Sequence, residues 1–201
     1  IYLANDVGVD VATQIEEKKD DFPGIQIEVN PLRVYPLGAA GAQVLGYVGE
    51  AGPDDKDADG NPYTTATLIG RAGIERKYNQ YLEGKNGSKT IEVNASGQPV
   101  GYVGGTPAVS GNNIRLTLDA NLQKAAEDAI DSQVKILAKS GIYATGASAV
   151  AIDPNSGAVL AMVSEPSYDP NRFSKGISTA DWNQIINNKN HPMQNRTIAS
   201  M

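Results

Sequence analysis

Three short patterns in this 201-residue chain carry the residue types of serine acyl transfer. Ser132-Gln-Val-Lys135 sets a hydroxyl one helical turn from an amine. Ser110-Gly-Asn112 offers a second hydroxyl beside an amide, and Lys139-Ser-Gly141 matches a K-[ST]-G that borders an oxyanion. Their surroundings argue against all three. An activated Ser–Lys pair needs a buried helix N-terminus, whereas Ser132 and Lys135 fall on the charged side of a long amphipathic pattern. Ser110 and Asn112 lie in a Gly- and Pro-rich stretch, and residues 139–141 read as a helix end. Patterns this short recur by chance, so no residue of the chain is read as catalytic.

Other constellations are equally spare. DKDADG at residues 55–60 opens like a calcium loop, but its twelfth position is Ala66 where a bidentate Glu is required. A solvated acidic loop is the preferred reading, and a weak calcium site the alternative. With no cysteine and one histidine, His191, there is no disulfide and no zinc ligand set; no metal or cofactor is expected. Asp153, Glu165 and Asp169 read as turn residues, and Trp182, Tyr78 and Tyr81 as core or interface filling. The N-x-[ST] triplets at Asn86, Asn94 and Asn195 matter only in a eukaryotic secreted protein.

Net charge −6 and pI near 4.8, without a Lys/Arg cluster, exclude nucleic acid as an expected partner. No window reaches the roughly 18 apolar residues of a membrane span, and IYLANDVG is not a leader. The lack of cysteine fits a reducing cytosol or a bacterial exterior protein equally.

The elements that must position any site begin with a short helix carrying Val7, Val11, Ala12 and Ile15 on one face after an Asn5 or Asp6 cap, stopped by Pro23-Gly24. A half-buried strand at 25–30 and an extended LRVYP follow. Residues 73–82 repeat Ile74, Tyr78, Tyr81 and Leu82 at helical spacing, and SKTIEVN and QPVGYV flank a turn at 95–97. GGTPAVSGNN at 104–113 reads as a linker or a long surface connection and divides the chain into 1–108 and 109–201. Beyond it, NIRLTL alternates as a strand and Asp119 caps the strongest helix. That helix sets Leu122, Ala126, Ile130, Val134 and Leu137 on one stripe and leaves Lys124, Glu127, Asp128 and Lys135 outside. AVAIDPNSGAVLAMVSEPSYDPN, residues 149–171, then reads as two strands folded across a Pro-Asn-Ser-Gly turn. A two-stranded pair is marginal alone, so it is expected within a larger sheet covered by helices. A short helix around Trp182 closes the list of elements.

Six segments in order, FPGIQIEVNPLRVYPLG, GAQVLGYVGE, IGRAGIERKYNQYLEGKNG, VSGNNIRLTLDANLQKAAE, AVAIDPNSGAVLAMVSEPSYDPNRF and HPMQNRTIAS, give a chain that resembles the class B penicillin-binding proteins. These are bacterial peptidoglycan transpeptidases, and the similarity is strongest to the elongation type. The resemblance implies an α+β architecture. An elongated pedestal, or dimerisation-type, domain would fill 1–108, and an incomplete start of a mixed α/β penicillin-binding transpeptidase domain 109–201. It places Arg33, Tyr35, Gly70, Gly73 and Glu75 at recurrent structural positions of the pedestal. It also implies peptidoglycan stem peptides and β-lactams as ligands of the full-length parent, a membrane glycosyltransferase as the pedestal's partner, and an extracytoplasmic location on an N-terminal anchor. The family's S-x-x-K nucleophile follows a segment like NRTIAS, so the chain is expected to be an internal fragment without the nucleophile, inactive and unlabelled by penicillin. A non-catalytic cell-wall interaction module is the competing reading.

Overall fold

Extended segments acquire their shape from whatever satisfies their backbone. In this computed structural model, which describes residues 3–4, 7–19, 21–22, 24–27, 32–63, 67–95 and 99–199, that is only partly other strands. In chain order the elements are α1 (Val9–Glu17), α2 (Ala42–Leu45), β1 (Val48–Glu50), β2 (Leu68–Gly70), α3 (Gly73–Lys77), α4 (Asn79–Leu82), β3 (Ser88–Val93) and β4 (Pro99–Thr106). They continue with α5 (Ala120–Lys139), β5 (Ala147–Ile152), β6 (Val159–Glu165), α6 (Asn171–Ser174) and α7 (Thr179–Ile186). The strands form three antiparallel pairs, β1–β2, β3–β4 and β5–β6. The result is the mixed helix-and-strand architecture expected.

The β5–β6 turn forms as its residues dictate. Asp153 accepts from the Asn155 amide at 3.0 Å and from the Ser156 hydroxyl, while Gly157 takes φ +73°. Pairing runs from Ala147↔Glu165 to Ile152↔Val159. The larger sheet is not found: among the described residues this sheet has two strands. Side chains and a loop occupy the edge of β6 that faces away from β5. The Asp119 amide donates to Leu160 O at 2.8 Å, and the Gln123 carboxamide both accepts from Met162 N at 2.8 Å and donates to Met162 O at 2.9 Å. Gln43 Nε2 donates to Ser164 O at 3.0 Å. Alternate residues 160, 162 and 164 are served in turn, as the two-residue period of a strand edge requires.

Two further expectations are corrected. NIRLTL alternates in burial, with Ile114, Leu116 and Leu118 half-buried and Arg115 and Thr117 exposed, but it bends at Thr117 and joins no ladder. Its tie to β6 is the single Asp119 backbone bond together with the Thr117 hydroxyl on Val159 O at 2.7 Å. The 104–113 linker is not free either. Its first residues complete β4, and the rest runs back antiparallel along the exit of α4. There, Lys85 and Val109 exchange backbone bonds of 2.8 and 2.9 Å, and the Asn112 amide donates to Tyr81 O at 2.7 Å. A Cβ on Gly84 or Gly111 would come within 2.4 Å or 2.0 Å of the opposing carbonyl. The glycines that suggested flexibility are there because two backbones touch.

Asp119 caps α5 as expected, accepting from Asn121 N and Leu122 N at 2.9 Å each. The stripe from Leu122 to Leu137 is only partly covered, however, and the one buried residue of α5 is Gln123, at 3 % exposure. Glu127, expected outside, turns inward to accept from Gly41 N and Gln123 Nε2, both at 2.8 Å. Residues 73–82 form two helical pieces, α3 and α4, interrupted at Tyr78. In α1 no residue is buried, and of the expected apolar face Val7 and Val11 are exposed while Ala12 and Ile15 are half-buried, so that face is only partly covered among the described residues. The Asn5/Asp6 cap, Pro23, residues 28–30 of the expected strand, Ala66 and positions 96–97 lie outside the described residues; Ile25 to Ile27 have no strand pairing.

The core is aromatic and draws on both ends of the chain. Ala42, Tyr168, Phe173 and Ile185 are buried, with Tyr47, Ile177, Trp182 and Met193 packed around them. Phe173 sits at its centre, its ring 4.1 Å from that of Tyr47 and edge-on to Tyr168 and Trp182. Trp182, half-buried, packs against this core, one of the two filling roles read from the sequence. Truncation of Phe173 to Ala is expected to cost about 3–5 kcal/mol, whereas Val103→Ala on the exposed β4 is expected to stay within about 0.5 kcal/mol. Urea unfolding of the two variants measures this, and comparable losses would remove Phe173 from the centre of the core.

Candidate functional site

Arg33, Tyr35 and Glu75 come together although 40 residues or more separate the first two from the third. Glu75 is buried on the second residue after the α3 entry glycine. Its Oε1 receives Arg33 Nε at 2.9 Å and the Tyr35 hydroxyl at 3.2 Å, and its Oε2 receives Arg33 Nη2 at 3.2 Å. This two-point guanidinium grip gives both carboxylate oxygens a partner in a buried setting. Burial, then the negative charge of Glu75, raise the Tyr35 hydroxyl well above the ordinary tyrosine range. The carboxylate is thus fully engaged and is no free base.

Gly70 and Gly73 serve the same corner by having no side chain. A Cβ on Gly70 would lie 2.0 Å from Glu75 O. On Gly73, at φ +56°, it would lie 2.4 Å from Val44 O, the contact by which α3 presses on α2. The five residues Arg33, Tyr35, Gly70, Gly73 and Glu75 therefore occupy one junction. A cleft of ≈ 260 Å³ opens beside it, walled by Arg33, Glu75, Leu45, Ile74 and Leu116.

Sequence reasoning missed the residues that carry this junction to the other half of the chain. Asn171 pairs with the backbone of Tyr35, accepting from its N–H at 2.8 Å and donating to its C=O at 2.9 Å. Besides Ser164 O, Gln43 Nε2 reaches Pro192 O at 2.8 Å and Pro166 O at 3.3 Å. The Ser167 hydroxyl donates to Ala39 O at 2.8 Å, and that of Tyr168 to Ala42 O at 3.2 Å. The available signal was compositional: Gln43 is the one long polar side chain in GAAGAQVLG.

The serine-containing patterns do not assemble a site. Ser132 is exposed and Lys135 pairs with Asp131 on the same helix face. Ser140 is the C-cap of α5 with Gly141 at φ +78°, and Asn112 is engaged in the 81–112 backbone contact. In the acidic loop, Asp55 accepts from Gly52 N at 2.7 Å and pairs with Arg71 at 2.8 Å, which together hold it below the usual carboxylate range. Asp57 folds back on the Asp59 and Asn61 amides. Among the described residues no three His, Cys, Asp or Glu side chains are placed to share a metal ion. Asp153 and Glu165 stand at opposite ends of the hairpin, about 20 Å apart at strand rise, and Asp169 caps Asn171.

Residues 1–116 match the penicillin-binding protein dimerisation domain family, and residues 147–201 match the penicillin-binding protein transpeptidase domain family. The chain is similar to the peptidoglycan D,D-transpeptidase MrdA of Salmonella typhimurium, with 39% identity over 185 residues, 90% of this chain and 28% of that protein. Its likeness to MrdA of Escherichia coli K12 is 38% over 180 residues, 87% of this chain and 26% of that one. Among solved structures, the complex between penicillin-binding protein PBP2 and MreC from Helicobacter pylori superposes with a TM-score of 0.70 at 30% identity, covering 94% of this chain and 33% of that one. The chain thus spans 26–28% of the length of these curated relatives.

Arg33→Ala would leave the Glu75 carboxylate, 11% exposed, with the Tyr35 hydroxyl as its remaining partner. Because Arg33 itself is 39% exposed, the expected loss is about 2–3 kcal/mol, less than for a fully buried pair. Adding Glu75→Gln is expected to recover part of that loss, and strictly additive losses in urea unfolding would show that the two do not act as a pair. Glu165 offers a pH test. Burial first, then the charge of Glu127, raise its carboxyl above the ordinary value. A raised folded value contributes stability below the unfolded value and loses it as pH rises through the folded one. Glu165→Gln is therefore expected to raise Tm at pH 7, and the gain should vanish below about pH 4, where the unfolded carboxyl is also protonated. A Tm difference constant with pH would rule this out.

Proposed function

Because the chain belongs to the class B penicillin-binding proteins, of the elongation type, we propose that it is part of a peptidoglycan D,D-transpeptidase that cross-links the bacterial cell wall. The observation that carries this reading is the order of the two family matches along one chain, dimerisation domain first and transpeptidase domain second. In the intact enzyme an activated serine attacks the D-Ala-D-Ala carbonyl of a stem peptide. The terminal D-Ala leaves as the free amine, and the amine of a neighbouring stem peptide then takes the acyl group and frees the serine. A β-lactam acylates the same serine and stays.

Within that enzyme, residues 1–108 serve as the pedestal and 109–201 as the beginning of the catalytic domain, with Arg33, Tyr35, Gly70, Gly73 and Glu75 as structural residues of the pedestal. A membrane glycosyltransferase and an MreC-like protein are the partners assigned to the pedestal. The location assigned is extracytoplasmic, on a membrane anchor. No described helix of residues 1–201 is itself long and apolar enough to cross a membrane.

The 201 residues by themselves are assigned no acyl transfer, since Ser132 is exposed and Lys135 is committed to Asp131. Incubation with a fluorescent penicillin is expected to leave residues 1–201 unlabelled and to label the intact gene product stoichiometrically at one serine. Label on residues 1–201 would overturn the assignment of inactivity. An intact product that takes no label would overturn the transpeptidase reading in favour of a non-catalytic cell-wall module.

A further inference from the structure

The geometry points to Gln43 as a positioning residue that fixes residues 192–196 against the end of β6. Its bearing on catalysis rests on the transpeptidase reading, in which the nucleophile follows that stretch. Gln43 lies in α2, inside the dimerisation-domain match, whereas its partners lie inside the transpeptidase match. One nitrogen faces three carbonyl oxygens, at 2.8 Å from Pro192, 3.0 Å from Ser164 and 3.3 Å from Pro166. A carboxamide nitrogen has two hydrogens, so the two shorter bonds hold it and the third shares. The flipped amide would set oxygen against three oxygens, which dictates the orientation.

The stretch gripped in this way is fastened at further points. Ser164, 3 % exposed, donates its hydroxyl to Gln194 O at 2.8 Å and accepts from Arg196 N at 3.1 Å. The Arg196 guanidinium returns to Asn190 O and His191 O, and Asn195 Oδ1 accepts from Thr197 N at 3.1 Å. His191, at φ +39°, is the one non-glycine residue with positive φ among the described residues. A backbone conformation of that kind persists where its surroundings over-determine it, and the Pro192 carbonyl held by Gln43 is on the next residue. Gln43 is therefore the point at which the first half of the chain fixes a bent segment of the second. Its two short bonds end on either side of the junction that Ser164 makes with Gln194 and Arg196.

Two variants separate a donor effect from lost packing: Gln43→Met keeps the volume without the amide, and Gln43→Glu keeps the shape with an acceptor in place of the donor. By hydrogen–deuterium exchange on residues 1–201, both are expected to speed amide exchange at 194–197 about tenfold, the equivalent of one lost hydrogen bond, while α5 and β3–β4 keep wild-type rates. In the intact enzyme the rate of acylation by a fluorescent penicillin is expected to fall about ten- to a hundredfold for Gln43→Met, since small misplacements of a reacting group have effects of that order. Its Tm should move by no more than a few degrees. Wild-type exchange at 194–197 in both variants would overturn the positioning role, and so would global unfolding of both by circular dichroism, which would make Gln43 a folding residue. Altered exchange with unchanged acylation would overturn the catalytic part of the inference. Failure of the wild-type intact protein to take label would instead sink the transpeptidase reading, while the exchange rates still decide what Gln43 holds.

Discussion

The free edge of β6 imposes the constraint from which much of the architecture follows. A strand paired on one side presents alternate amides and carbonyls on the other, and away from water each needs a partner. Here those partners are the Asp119 amide and the carboxamides of Gln123 and Gln43. They come from three parts of the chain, so satisfying one edge fixes the start of α5, the face that α5 turns to β6, and the place of α2. A primary amide carries a donor and an acceptor in the geometry of a peptide group, which is why Gln123 can serve both the N–H and the C=O of Met162. The interior position of Gln123, the one buried residue of α5, is a consequence of this role.

A second layer keeps α2 where Gln43 can reach. Arg33 and Tyr35 hold Glu75 at the start of α3, the glycines at 46 and 73 let α3 close on α2, and Gly70 lets the end of β2 lie against α3, all through backbone contacts that no side chain would allow. Asn171 then fastens the Tyr35 backbone to α6, next to Phe173 in the aromatic core. The charged cluster and the core are therefore not separate sources of stability. The ion pair is valuable for the placement it enforces, since a partly exposed pair contributes little energy by itself.

What was legible in the sequence was local chemistry. The Asp153–Gly157 turn and the Asp119 cap depend on residues within one or two turns of each other and formed, and the helical spacing from Ile74 to Leu82 gave two helical pieces broken at Tyr78. What was not legible was the identity of distant partners. NIRLTL has a strand's alternation because alternate residues are half-buried, yet alternation of burial says nothing about whether the backbone finds a ladder. Glu127 has the sequence context of a solvent-facing residue and turns inward because Gly41, 86 residues earlier, offers it an N–H. The apolar face of α1 was legible as a pattern, but among the described residues it is only partly covered, with Ala12 and Ile15 half-buried. The clustering of Arg33, Tyr35 and Glu75 was approachable only through family resemblance, since nothing in their spacing brings them together.

The stretch from 104 to 113 has the composition of a tether and the bonding of a strut. A tether tolerates length changes, because loop entropy grows only slowly with added residues. A strut whose carbonyls and amides are matched at Lys85–Val109 and Tyr81–Asn112 does not, because one inserted residue shifts the register and turns every following side chain to the opposite face. The length of this Gly- and Pro-rich stretch is thus fixed as tightly as that of a strand, and insertions or deletions should be excluded from it while substitutions at its exposed positions are admitted.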